Sequence, residues 1–304
     1  MVTPMTRNGF SDLLYPGLNK TYTLWTKSYP EEYTKFLNID SSTKSQEEDI
    51  AMAGFGAVPM KTEGDTPVLD ALKLSDKVQY VHDTYALGFE ITEEAYEDEL
   101  YGLFQKAPKA LAIAVKQTCD VLGAMVLNNA FTAAYAGIDG HQLCYHLHPQ
   151  LKAGGTVSNM PSGGVSVDLS ASTLYDALET WETWTDDNNF PMLMKPKYLV
   201  SGPAQRKMMN WILQSTGQPF TSDNEVNAVR EWELEKMILH YLTDTDAWFL
   251  LSPKDMHYMK WFWRIKPKFR NYDEPNTGNA RYLVRFRASC GFTHWHGVYG
   301  SAGV

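Results

Sequence analysis

Gln79-Tyr-Val-His-Asp-Thr-Tyr-Ala-Leu-Gly-Phe-Glu-Ile-Thr-Glu-Glu-Ala-Tyr-Glu-Asp-Glu-Leu-Tyr-Gly102 is the stretch on which the reading of this chain turns. It is an extended, aromatic-rich run that flips at Thr92 into an acidic helix start. Thr92 suits an N-cap, and Glu93 and Glu94 in the following turn suit the positive end of a helix dipole. A Gly-punctuated, strand-like segment, Gly54 to Thr66, precedes it. The two together predict an extended two-stranded arm over residues 54 to 90, hinged onto a helix. Glu63-Gly64-Asp65-Thr66-Pro67 supplies turn chemistry near its tip. A hairpin alone in water is marginal, so such an arm is expected to lie on another surface.

Outward from the arm, the spacing of Leu111, Val115, Leu122 and Met125 predicts one helix from Lys109 to about Tyr135, restarted at Pro108. At 1.5 Å per residue it would run roughly 40 Å, enough for the spine of a flat subunit. A long Gly-, His- and Ser-rich loop follows from Gly137 to Gly164. A second helix is expected from Leu169 to about Asn188, capped by Ser170 or Ser172, with Leu174, Leu178, Trp181 and Trp184 buried. Beyond Pro191 strands and helices mix. The chain closes with a long hairpin from Trp261 to Val298, turning around Asp273 to Gly278. Towards the N-terminus, residues 1 to about 50 scatter apolar anchors among turn-prone pieces, which reads as an arm packed on a neighbour.

The 304 residues can bury a sizeable core, and 44% hydrophobic with 21% charged residues is ordinary for a folded soluble chain. A net charge of -9 argues against a dedicated nucleic-acid binder, though not against a local basic face. Three widely spaced cysteines form no disulfide framework, which fits reduced thiols. There is no leader pattern, and no apolar run is expected to approach bilayer-spanning length.

Catalytic signatures are missing. Tyr299-Gly-Ser-Ala-Gly303 fails as a nucleophile elbow at its first position, and no P-loop occurs. Gly54-Phe-Gly56 begins a dinucleotide-like pattern that Pro59 interrupts. Cys144-Tyr-His146-Leu-His148, with His141 nearby, is the clearest metal-like cluster, yet its spacing matches no standard zinc site. A metal-dependent enzyme built on the His141 to His148 loop is thus the alternative of a different class. His294-Trp-His296 suits a strand with both imidazoles on one face. No cofactor is expected.

Lys260-Trp-Phe-Trp-Arg-Ile-Lys-Pro-Lys-Phe-Arg270 interleaves basic and aromatic residues. On a strand, Arg264, Lys266, Lys268 and Arg270 fall on one face and Trp261, Trp263 and Ile265 on the other. Arg281, Arg285 and Arg287 form a second stripe opposite Tyr282, Val284 and Phe286. A half-buried hairpin with a charged outer face is expected, meeting either DNA or carboxylates of a neighbouring subunit. Net acidity favours the carboxylates, with Glu93 to Glu99 as one counterpart.

Several weak pieces in a fixed order carry a resemblance: Gly88-Phe-Glu-Ile-Thr-Glu-Glu94, Asp139-Gly140, His148-Pro149, Gly154-Gly-Thr156, Asn159, Ala280-Arg-Tyr-Leu-Val284 and Gly297-Val-Tyr-Gly-Ser301. In these the chain resembles the major capsid proteins of tailed bacteriophages, of HK97-type fold and closest to the Mu-like major head protein branch. The resemblance implies an α+β fold with an N-terminal arm (1–53), an extended E-loop (54–90) and a P-domain (91–190) carrying the spine helix at about 109–135. An A-domain (191–258) and a return to the P-domain (259–304) complete it. It implies a shell tile rather than an enzyme, forming hexamers and pentamers of an icosahedral head around double-stranded DNA. Assembly would take place in the bacterial host cytoplasm with a separate scaffold, a portal and decoration proteins. Encapsulin-type compartments share the fold and are the nearest rival. Lys61, Glu63, Asp65, Glu93, Glu94 and Glu97, with the seven basic hairpin residues, are the expected subunit contacts.

Overall fold

The computed structural model of the protein describes residues 10–92, 106–215, 217, 226–273 and 279–304. Two cores organise these residues.

The first core lies under a four-stranded sheet. Its strands are β1 (Asn38–Ser41), β4 (Asp83–Ile91), β10 (Met259–Asp273) and β11 (Ala280–Phe292), in the order β1-β10-β11-β4. β1 runs parallel to β10, and the other neighbours are antiparallel. Trp261, Phe269, Tyr282, Val284 and Phe286 point inward and are buried. A long helix, Lys106–Asn128, covers them with Leu111, Ala112, Val115, Cys119, Val126 and Leu127. Pro108 falls in its first turn, where no backbone donor is needed, so the helix starts through the proline. It stops before the expected Tyr135. The Asn129 amide of the side chain donates to the Met125 carbonyl, and Ala130 N–H turns to the closer Leu127 carbonyl. Leu122 and Met125 are only half-buried, because the covered stripe drifts to Val126 and Leu127 near the end. This helix is long and apolar enough to cross a bilayer by length and composition, contrary to expectation, yet it is the core helix of the sheet.

Asp120, in the middle of that helix, is buried and accepts hydrogen bonds from the backbone N–H of Glu32 (2.7 Å) and Tyr33 (3.0 Å). It therefore caps the short helix Tyr33–Phe36 from outside. Burial raises its pKa, opposed by those two N–H groups. Gly123 lies where a Cβ would come within 2.4 Å of Tyr33 Cβ, so only glycine lets the two elements approach this closely.

The N-terminal segment, expected as an arm packed on a neighbour, is in part packed on its own subunit. Phe10–Ser28 is a helix that buries Leu18 and Tyr22. Tyr15 and Tyr22 stack on Phe269 of β10, and Tyr15 Oη donates to the Phe269 carbonyl. The Tyr15, Leu18, Tyr22 and Trp25 spacing makes one helical face, and that face finds its partner within the chain.

The arm also differs from its expected bounds. Its strands are β2 (Gln46–Ala53) and β3 (Lys73–Val81), paired antiparallel with each other. Residues 54–72 between them are irregular and exposed. Asp83–Ile91 instead joins the main sheet, stacking Tyr85 on Phe286 and Phe89 on Tyr282. The alternating aromatic side chains that suggested an arm there are the inward face of a half-buried sheet strand.

The second core gathers Trp181, Trp184, Trp248, Trp295 and Tyr299. A second sheet of order β12-β9-β7-β8, made of β7 (Tyr198–Ser201), β8 (Glu235–Ile238), β9 (Trp248–Leu251) and β12 (Val298–Ser301), packs there with the helices Ala171–Glu182 and Arg206–Gln214. Ser170 caps the first of these in a capping box with Thr173. This core draws on residues both before 191 and after 258, so it does not coincide with the 191–258 segment. A two-residue ladder, β5 (His148–Pro149) with β6 (Thr156–Val157), lies in the long loop.

Candidate interaction surfaces and the histidine cluster

The β10–β11 hairpin carries the basic stripes, but its alternation is broken. Register shifts occur between Trp263 and Ile265 and again between Ile265 and Lys268. Beyond the first shift Ile265 is no deeper than Arg264, whereas Phe262, on the face opposite Trp261 and Trp263, is buried against Tyr80 and His82. Lys266, Lys268, Arg270, Arg281 and Arg285 are exposed, while Arg264 and Arg287 are half-buried. Lys268 stands directly opposite Arg285 across the ladder, a like-charge pair that disfavours the free hairpin. Arg281 Nε donates to Glu90 Oε2 at 2.8 Å, and Asn279 also binds Glu90; together they hold the Glu90 carboxyl below its usual range. Arg287 Nη2 donates to the His82 carbonyl at 3.1 Å, so this arginine anchors the arm base rather than facing outward. Burial first, and then Arg287 and Arg264, lower the His82 pKa.

Lys61, Glu63 and Asp65 sit on the exposed 54–72 segment, where Gly64 turns with φ +88° and Asp65 N–H donates to the Thr62 carbonyl. Around them Val58, Met60 and Leu69 are each at least 94% exposed. Glu93, Glu94 and Glu97 lie outside the described residues, as does the helix expected to start at Thr92.

The histidine loop is built for structure. His148 is fully buried, with Nδ1 2.5 Å from Asp139 Oδ2 and Nε2 3.1 Å from Asn159 Oδ1. The Asn159 amide donates to the carbonyls of Leu143 and Val298, so its oxygen faces His148. The ring stacks on Trp295 at 4.8 Å. Burial acts to raise the Asp139 pKa, but the His148 hydrogen bond and charge bring it below the ordinary value. His141 stacks on Tyr145 at 4.3 Å and meets the His148 ring edge-on at 6.5 Å. Among the described residues no group of three or more His, Cys, Asp or Glu side chains could hold a metal. Thr293 to His296 is irregular rather than a strand, and the His294 and His296 rings lie 3.6 Å apart.

Sequence reasoning missed the arm base. Asp49 lies in the acidic run Glu47-Glu48-Asp49, which reads as a solvated face, yet its carboxylate turns into the subunit towards Lys260 and Thr293. Nothing in the local sequence separates it from its neighbours.

Residues 75–301 match a family described as phage capsid protein. The match is to the family as a whole and singles out no branch of it. No curated protein sequence matches the chain. The capsid of cyanophage P-SCSP1u aligns with a TM-score of 0.58 at 11% identity, over 90% of this chain and 89% of that one. The mature capsid of bacteriophage PhiM1 gives 0.58 and 11%, over 90% and 86%. A virus-like particle from Pyrococcus furiosus gives 0.51 and 9%, over 94% and 98%. At these identities the likeness is one of fold.

Proposed function

The chain belongs to the phage capsid protein family, and from that premise we propose how its surfaces build the shell. The protein is a structural shell component of a phage capsid, and the metal-enzyme and compartment readings are not favoured. The proposal concerns the finer arrangement. Copies close as hexamers and pentamers into an icosahedral head around double-stranded DNA, in the host cytoplasm, with a separate scaffold, a portal and decoration proteins as partners.

The observation that carries this reading is the arm. Its irregular 54–72 segment exposes Val58, Met60, Val68 and Leu69 far beyond what one subunit covers. Apolar surface of this kind is stabilised by about 25 cal/mol per Å² when covered, and a second copy offers the cover. Lys61, Glu63 and Asp65 would then lie in that contact. The outer face of the β10–β11 hairpin forms a second boundary, where Lys266, Lys268, Arg270 and Arg285 meet carboxylates of another copy. The unfavourable Lys268–Arg285 opposition supports an acidic partner, and net charge -9 supports that partner being the chain itself.

Negative-stain microscopy of the purified chain tests the shell, with closed particles expected; monomers alone at every concentration would end the reading. The hairpin is tested by reversing Lys268, Arg270 and Arg285 to Glu together, which leaves Arg281 and Arg287 with their partners. Exposed pairs are worth about 0 to 1 kcal/mol each, so only the multiple reversal should abolish assembly, with circular dichroism unchanged. Normal closed shells from that variant would remove the hairpin from the interface.

A further inference from the structure

We propose that Asp49 is the positioning residue that sets the direction in which the arm leaves its subunit, and thereby how one copy reaches the next. The second half of this rests on the shell reading above; the first does not.

Asp49 on β2 accepts a hydrogen bond from Lys260 Nζ of β10 at 2.6 Å and another, on the same Oδ2, from Thr293 Oγ1 at 2.6 Å. Thr293 Oγ1 lies 2.7 Å from Tyr80 Oη of β3. A threonine hydroxyl has one proton, and here it goes to Asp49, so Tyr80 is the donor in the second bond. The chain of donors thus runs from Tyr80 through Thr293 to Asp49, with Lys260 closing it from the other side. Both strands of the arm and one end of the β10–β11 ladder, where Met259 faces Phe292, are thus joined through one carboxylate.

The surroundings make the clamp stiff. Tyr80 and Thr293 are 4% and 5% exposed. The Tyr80 ring lies against Gly291, where a Cβ would come within 2.9 Å of it, and 5.1 Å from the Phe262 ring. Burial raises the Tyr80 pKa, so its hydroxyl stays a donor. Just beyond Asp49, Ser75 Oγ accepts from Ala51 N–H and donates to the Ala51 carbonyl, both at 3.0 Å, closing the irregularity between Ile50 and Met52. The arm is therefore rigid immediately outside its clamp, and a small rotation at Asp49 becomes a displacement at residues 54–72. Further out the arm meets its own body through Lys152, which binds Asp70 at 2.6 Å and the Gly54 carbonyl at 3.3 Å at an exposed site.

The test uses the full chain with Asp49→Ala, Asp49→Asn and Tyr80→Phe. Amide hydrogen exchange on free subunits follows peptides spanning 46–53 and 73–81 against peptides from 259–273. Asp49→Ala should raise arm exchange about tenfold or more and leave β10 unchanged, since local openings are graded by local contacts. Asp49→Asn keeps an oxygen acceptor and should do less. Electron microscopy of assembled material should then show particles of mixed diameter or open sheets for Asp49→Ala, with partial rescue by Asp49→Asn. Unchanged arm exchange in Asp49→Ala overturns the clamp. Shells of uniform wild-type diameter despite faster exchange overturn its role in directing contacts. If the unaltered chain forms no shells, the shell reading fails separately, while the exchange comparison still decides whether Asp49 holds the arm. Should Asp49→Ala not fold, the same comparisons between Asp49→Asn, Tyr80→Phe and the unaltered chain decide the matter.

Discussion

Two hairpins of this molecule obey the same ladder chemistry and end up with opposite characters. The β10–β11 pair is flanked by strands on both sides and covered by the Lys106–Asn128 helix, so Trp261, Tyr282, Val284 and Phe286 are buried. The β2–β3 pair has no flanking strand among the described residues, and Ile50, Met52 and Leu74 remain about half exposed. Hydrogen-bond pairing is common to both. What separates them is cover, and cover on one side is what turns a hairpin into a core.

The largest effect expected from that contrast is at Trp261. Trp261→Ala should cost about 3–5 kcal/mol in urea unfolding of the free subunit. Met60→Ser with Leu69→Ser on the arm should shift the same curve by less than about 0.5 kcal/mol while weakening assembly. Equal losses from the two would erase the distinction.

Acid should act on the body in the same selective way. Burial, with Lys254 adding, depresses His257 to about 4, and burial depresses His294 to about 4. Both groups are neutral in either state above their unfolded pKa near 6.5, so no penalty applies there. As pH falls from 6.5 through 4 the unfolded chain takes up the protons first, and stability is lost, by roughly 3 kcal/mol at most for His257. His257→Gln should flatten this part of a stability-against-pH curve. A curve of unchanged slope between pH 6.5 and 4 would show that His257 is not held neutral.

The smallest effect belongs to Lys152→Ala. Its pair with Asp70 is exposed, so stability should change by about 0 to 1 kcal/mol, and arm exchange far less than in Asp49→Ala. A large change would move the arm's anchor from its base to Lys152.

The sequence made some of this legible for identifiable reasons. The Leu111 and Val115 spacing revealed the spine helix, and the serines at 170 and 172 before an apolar stripe revealed the next helix, whose cap proves to be Ser170. The alternation of Arg281, Arg285 and Arg287 with Tyr282, Val284 and Phe286 placed the hairpin correctly. The arm's first strand was hidden, because Gln46–Ala53 has three consecutive acidic residues after Gln46, shows no sustained alternation and fully buries only Ala53. The aromatic residues of Asp83–Ile91 then drew the arm boundary too far along the chain. Bulges at Ile265 and Lys268 cannot be read from alternation, which assumes an unbroken period of two. The Asp49 clamp depends on Lys260 and Thr293, more than two hundred residues away, and long-range polar contacts of that kind leave no local pattern.

Asp120 carries one further consequence. The Lys106–Asn128 helix would suit a bilayer by length and apolarity, and while it is being synthesised only the edge strands β1 and β4 of its sheet precede it, the central pair β10 and β11 being still to come. An aspartate near the middle of such a segment opposes insertion by about 2.5–3.5 kcal/mol. The carboxylate that caps the turn at Tyr33 therefore also counts against placing this helix in lipid.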